Sequence, residues 1–253
     1  MKSLWGICSL VTFLIGPLGA QGGYVDSLFV QANRFYRDGN YAGAANAYDR
    51  ILRQGYAHAN LYYNMGNAYY QLGRIGDAIW AYERGLMLKP RDSDLKFNLS
   101  VARARTVDRV DVPEPFFLLK WYSGLKGALV PGEWLSLMSV FFFVSGVAYV
   151  VSRFLKGDLR AFLSRIIATG LTLAGLSALL FADVYFDLSG KEEAIVVAEK
   201  GEVFSAPLDT GNLLFVVHEG TKAEITGHQE RWTEIKLIDG KKGWISDDKL
   251  RRL

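Results

Sequence analysis

Thiol chemistry has almost no place in these 253 residues, because the only cysteine is Cys8. It lies too early in an apolar N-terminal stretch to be a lipidated cysteine, so disulfide and thiolate roles are excluded once that stretch is removed. Histidine is nearly as scarce. His58, His218 and His228 are dispersed over different parts of the chain, a pattern of loop and surface residues rather than of a metal cluster. No Gly-x-x-x-x-Gly-Lys-Ser/Thr loop, Gly-x-Ser-x-Gly elbow or dinucleotide fingerprint occurs. Phosphoryl transfer, acyl transfer and nicotinamide chemistry therefore lack their usual cradles. Neighbouring carboxylates such as Asp92 and Asp94, or Glu192 and Glu193, sit at turns and boundaries, where capping and solvation account for them. A non-catalytic chain with no cofactor and no metal is expected. An excess of one charge is also missing: 29 basic residues face 26 acidic ones, a net +3, which leaves no basic face for nucleic acid.

What the chain does have is apolarity and a repeat. Half of its residues are hydrophobic and only 22% are charged, too apolar for an ordinary soluble domain. Leu28/Tyr62, Ala32/Gly66, Phe35/Tyr69, Gly39/Gly73, Ala44/Ala78 and Tyr48/Tyr82 each pair at an offset of 34 residues. That offset is the length of a tetratricopeptide (TPR) unit, two antiparallel helices in which small residues admit close backbone approach and aromatics fill the space between. Units at 25–58 and 59–92, with a capping helix over 93–106, make a TPR block spanning 24–110. Pro90 stops the helix before it, and Asp92-Ser93 offers the next N-cap.

Residues 1–20 have the pattern of a secretory signal: Lys2, an apolar run from Leu4 to Ile15, then Gly16-Pro17-Leu18-Gly19-Ala20 with cleavage after Ala20. An uncleaved anchor is the competing reading. A linker at 111–133 mixes aromatics with lysines, as segments at a membrane surface do. Residues 134–152 and 166–186 are spanning candidates, the first free of charge throughout and the second from Ile166 to Ala182. The connector 153–165 carries Arg153, Lys156, Arg160 and Arg165 against Asp158, which puts it in the cytoplasm and both flanking blocks outside, on the periplasmic or extracytoplasmic side of a bacterial inner membrane. No charge at mid-span supports transport.

From residue 192 the period shifts from helical to alternating, with short strands expected at 194–197, 214–217, 223–226, 232–237 and 243–245 and a hairpin turn at Asp239-Gly240. A small closed β-barrel over 192–253 is expected. The landmarks Ser205-Ala206-Pro207, His218-Glu219-Gly220-Thr221, Trp232-Thr233-Glu234-Ile235 and Gly243-Trp244-Ile245 resemble, in order and spacing, those of bacterial SH3 domains. Trp232 and Trp244 could line an aromatic groove there, and their alternation with Ile235 and Ile245 equally marks barrel core.

In the repeats, the concave positions carry Phe29, Asn33 and Tyr36, then Tyr63, Asn64, Asn67 and Tyr70, with Asn33 and Asn67 again 34 apart. An amide offers both donor and acceptor, so a column of asparagines could hold an extended peptide backbone while tyrosines supply rigid area. TPR clamps for a C-terminal carboxylate add lysine and arginine, but here Phe29, Asp94 and Asn98 stand in the equivalent places. An internal segment or a folded partner is expected instead.

The whole layout, with the Asp94-Leu95-Lys96-Phe97-Asn98-Leu99 run after the second repeat, resembles the TPR- and SH3-bearing membrane proteins of the aerotolerance (Bat) operon family. The resemblance implies an envelope complex tied to stress tolerance, with a MoxR-type ATPase system and von Willebrand A domain membrane proteins as partners. It implies no reaction. Because bacterial SH3 domains often bind peptides or peptidoglycan, a wall-binding accessory that recruits a wall enzyme is the alternative reading.

Overall fold

A computed structural model describes residues 18–108, 116–190, 192–208 and 211–253. The expected signal segment lies outside the described residues up to position 17, although Leu18 to Ala20 already belong to the first helix. Five helices form the repeat block: α1 (Leu18–Arg37), α2 (Tyr41–Arg53), α3 (Ala59–Gln71), α4 (Ile75–Leu88) and α5 (Ser93–Arg103). The hairpin turns at Gly39 and Gly73 take φ of 77° and 75°, a left-handed backbone that glycine adopts without strain. Asn40 caps α2 by accepting from the Gly43 amide, and Asp92 caps α5 by accepting from the Asp94 and Leu95 amides. The repeat landmarks become core: Ala32, Ala44 and Ala78 are fully buried, and Tyr48, Tyr62, Tyr69 and Tyr82 fill the spaces between helices. Gly66 is the tightest of these contacts, since a Cβ there would lie 2.5 Å from the Tyr82 ring. Gly66→Ala is expected to cost about 1–3 kcal/mol by overpacking, read as a lower melting temperature of the detergent-solubilised chain.

Three further helices follow: α6 (Phe117–Lys126), α7 (Pro131–Ser152) and α8 (Asp158–Ser189). The last two pack as an antiparallel pair, and both are long and apolar enough to cross a membrane. At 1.5 Å per residue their 22 and 32 residues extend roughly 33 and 48 Å, against a hydrocarbon core of about 30 Å. Both start earlier than the hydropathy pattern indicates. Pro131 supplies a favourable first helical position for α7. Asp158 opens α8 and places Arg160 and Arg165 on its first turns, so the connector proper is only 153–157. The amphipathic α6 crosses the mouth of the pair: the Tyr122 hydroxyl donates to Asp183 at 2.7 Å, and Lys126 reaches Asp183 at 2.6 Å and also Asp187.

Seven antiparallel strands complete the chain: β1 (Glu193–Val196), β2 (Lys200–Phe204), β3 (Leu213–His218), β4 (Lys222–Gln229), β5 (Trp232–Lys236), β6 (Lys242–Ser246) and β7 (Leu250–Arg252). Their order in the sheet is β3-β2-β6-β5-β4-β1-β7. The sheet curls around Val196, Val203, Val217, Ala223, Ile235 and Ile245. The expected closed barrel is not formed, because β3 and β7 share no ladder. Two features keep it open. β2 meets β6 through the single pair Phe204 and Trp244. The three-residue β7 faces the repeats, where the Trp80 indole N–H donates to the Arg252 carbonyl at 2.7 Å.

The sheet and the repeats are joined by a buried seam. Ile195 sits in the repeat core while Val196 sits in the sheet core, so β1 is buried on both faces and lacks the alternation of a half-exposed strand. Gly76, at the start of α4, abuts the β1 backbone: a Cβ there would lie 2.5 Å from the Val196 carbonyl. Arg74 supplies no side-chain cap to α4, and Glu219 does so from the other domain by accepting from the Gly76 amide at 2.9 Å. At the centre the Arg251 guanidinium stacks over Trp80, 3.5 Å from its centroid, and donates to Asp77 at 2.8 Å and to the Tyr69 hydroxyl at 3.1 Å.

Candidate functional site: the repeat groove

The first helices of the repeats, α1 and α3, together with α5, line the concave face. Their periodicity brings all the sequence-nominated groove residues except Asn33 to two hollows. One, of about 310 Å3, is walled by Phe29, Tyr63 and Asn64 with Asn60, Asp92 and Asp94. The other, of about 270 Å3, is walled by Tyr36, Asn67 and Tyr70 with Gln71, Tyr82 and Asn98. At one rim the Arg105 guanidinium lies over the Tyr70 ring, 5.1 Å from its centroid, where a cation and an aromatic face attract.

The asparagines do something that their spacing alone does not reveal. The buried Tyr48 hydroxyl donates to Asn33 Oδ1 at 2.6 Å, and the Asn64 amide donates to the same oxygen at 3.1 Å. Thirty-four residues on, the Tyr82 hydroxyl donates to Asn67 Oδ1 at 2.8 Å, and the Asn98 amide donates to it at 2.8 Å. Each unit thus ties its second helix, through a tyrosine, to an amide that also links the first helices of successive units. Desolvation raises the Tyr48 hydroxyl to about 12 and pushes Tyr82 up as well, so both remain protonated donors at neutral pH. Repetition of a three-residue network at this interval is the mark of one structural unit used twice. Residues 29–106 are tetratricopeptide repeats. The tetratricopeptide repeat family model matches that span. No curated protein matches the chain.

TPR modules present surfaces to other proteins, and the acceptor capacity of Asn33 and Asn67 is largely spent within the fold. What remains open toward a ligand is the Asn64 carbonyl, the exposed Gln71 and Asn60 amides, and the half-buried faces of Phe29, Tyr36, Tyr63 and Tyr70. Asn98 and Tyr48 belong to the same device. Their signal was the 34-residue offset Asn64/Asn98, parallel to Tyr48/Tyr82.

On the sheet, Trp232 is 4% exposed and packs edge-on against Phe204, yet it borders a hollow of about 550 Å3 with Lys200, Glu202, Ser246 and Lys249. Trp244 is half-buried opposite Phe204 and Glu234. Both tryptophans stand on the face away from the core, because Trp232 is an odd number of residues from Ile235 and Trp244 is adjacent to Ile245. Neither belongs to the sheet core cluster.

Asp108 straps the end of the repeat block to this sheet. It accepts from the His218 amide at 2.7 Å and the Thr221 hydroxyl at 2.9 Å, and pairs with the His218 ring at 2.8 Å. Burial pushes the Asp108 carboxyl up, but those bonds from His218 and Thr221 outweigh it and hold the group below its ordinary 3.8. A carboxyl depressed in the folded state stabilises above its unfolded pKa and loses that contribution as pH falls through the folded value. Asp108→Ala is therefore expected to melt lower than the parent at pH 7, and the gap should close in acid below about pH 4. An undiminished gap in a pH series of thermal scans would show that the strap is not electrostatic.

Proposed function

We propose that this chain is a non-catalytic scaffold anchored in a bacterial envelope membrane, holding an extended segment of a protein partner in its repeat groove. The observation that carries the reading is the pair of hollows on either side of the Asn33–Asn64 link, walled by aromatics and amides, with Asp92 and Asp94 at one end of the first. Such walls suit a backbone with intermittent apolar side chains and offer no reacting group. The spanning role of α7 and α8 is supported by their length and apolarity, and an extracytoplasmic position for both folded blocks by the basic 153–165 segment. The sheet is read as SH3-like on its ordered landmarks, with the seven-stranded curl in place of a closed barrel. The stress and aerotolerance setting, and partners of the von Willebrand A and MoxR type, come from the resemblance of the layout. A second reading, peptidoglycan binding, is favoured by the polar hollow beside Trp232.

Photo-cross-linking in native membranes separates the two. With p-benzoylphenylalanine at Tyr63 or Tyr70, protein adducts are expected that a label at the exposed Ile238 does not give. Adducts to wall fragments at Lys249, with none at the groove positions, would move the function to the sheet.

A further inference from the structure

The α4–α5 turn is pinned to the start of α7. Arg91 donates to Glu133 at 3.0 and 2.7 Å and to the Ala128 carbonyl, two residues after and three residues before Pro131, where the apolar helix begins. Residues at this turn therefore stand at the level where α7 begins. There the end of α4 turns outward Met87, 56% exposed, and Leu88, 50% exposed, followed by the exposed Lys89. Two residues before Ala128, α6 ends; it exposes Phe117, Leu118, Leu119 and Trp121, and its last turn is tied by Lys126 to the end of α8. A soluble surface rarely leaves so many large apolar side chains together in water. A headgroup layer, apolar below and wet above, accepts aromatics, aliphatic tips and lysines in one band.

We propose that the repeat block is seated on the bilayer that holds α7 and α8, with α6 and the Met87–Lys89 end of α4 immersed in the headgroup region. The occupant of this apolar band is lipid, argued from its continuity with the two long apolar helices and from its lysines. The proposal rests on the reading of α7 and α8 as spans. Its consequence is geometric. With α4 pointing its C-terminal end at the membrane and α3 only 13 residues long, the groove opens within roughly 20 Å of the lipid surface. A segment entering it is one already held near the membrane, such as the juxtamembrane stretch of another membrane protein.

Nitroxide accessibility in vesicles of phosphatidylcholine and phosphatidylglycerol tests the seat. The full chain carrying Cys8→Ser is labelled singly at Leu88→Cys, at Leu72→Cys on the opposite end of the α3–α4 hairpin, or at Phe142→Cys in α7. All three positions are exposed on the protein, so labels there leave the core intact. Expected is a several-fold lower collision rate with a water-soluble nickel chelate at Leu88 than at Leu72, lower still at Phe142, and the reverse order for oxygen. If Leu88 matches Leu72 while Phe142 stays shielded, the seat is overturned and the spans stand. If Phe142 is as open to the chelate as Leu72, the spanning reading falls and the seat with it.

Discussion

Replacing Arg251 with alanine is expected to loosen the sheet from the repeats at a cost of about 2–4 kcal/mol, because the loss of one partner strands a desolvated charge. The stranded group is Asp77, which is only 4% exposed and lies in the first turn of α4. Arg74 continues to hold its other oxygen at 2.7 Å, which keeps the cost from the top of the range for a broken buried pair. Two further losses add to it: the Tyr69 hydroxyl loses a donor, and Trp80 loses the cation over its ring. In a chain of this size roughly 2–4 °C of melting temperature accompanies each kcal/mol, so thermal scans resolve the change. Hydrogen exchange locates it. Amides of β1, β7 and the start of α4 should exchange faster than in the parent, while those of α2 and β5 should not. Unchanged exchange across that seam would mean that Ile195 and Gly76 hold the two blocks together without the ion pair.

The double substitution Asn33→Ala and Asn67→Ala is expected to destabilise the repeats by about 2–5 kcal/mol, because each change removes the acceptor of two buried or half-buried donors. Tyr48 and Tyr82 are nearly inaccessible to water, so their hydroxyls would find no replacement partner. The two networks share no atom, and their costs should add. Chemical denaturation of the detergent-solubilised chain measures it, with Tyr48→Phe plus Tyr82→Phe as the control. Removing the donors as well as the acceptors leaves fewer orphans, so that double variant should lose less. If the asparagine variant unfolds like the parent, the amides are solvated and available to ligand. As a corollary, groove function is better probed at Tyr63 and Tyr70 than at Asn33 and Asn67.

Local patterns gave the repeat units, because a 34-residue period fixes which small and aromatic residues recur on facing helices. Uncharged length gave the two apolar helices. The strands were only partly legible. β2 (Lys200–Phe204) escaped because one of its two inward positions is Gly201, which leaves room for Ile245 and Val217 and leaves Val203 as the strand's one fully buried apolar side chain, too little for an alternating pattern. β7 is three residues, Leu-Arg-Arg, and its polarity suits a strand that pairs with β1 on one side and with the repeats on the other. The two tryptophans divide: Trp232 is buried against Phe204, as the core reading has it, and Trp244 is half-buried on the same face.

By itself the sequence determined most of the elements: capped helices in 34-residue units, two helices long and apolar enough for a bilayer, and five of the seven short strands. Those are set by propensity, period and capping within some tens of residues, where neighbours in the chain are neighbours in space. Only the tertiary structure decided how the parts combine. Arg251 finds Asp77 and Trp80 about 170 residues away, Glu219 caps a helix 143 residues before it, and Asp108 anchors a strand end 110 residues on. It also decided that Asn33 and Asn67 brace the solenoid, since whether an amide meets solvent or a buried hydroxyl depends on what the neighbouring helix brings to it. No local pattern carries that information, because the energy lies in desolvated contacts between segments that the chain keeps far apart.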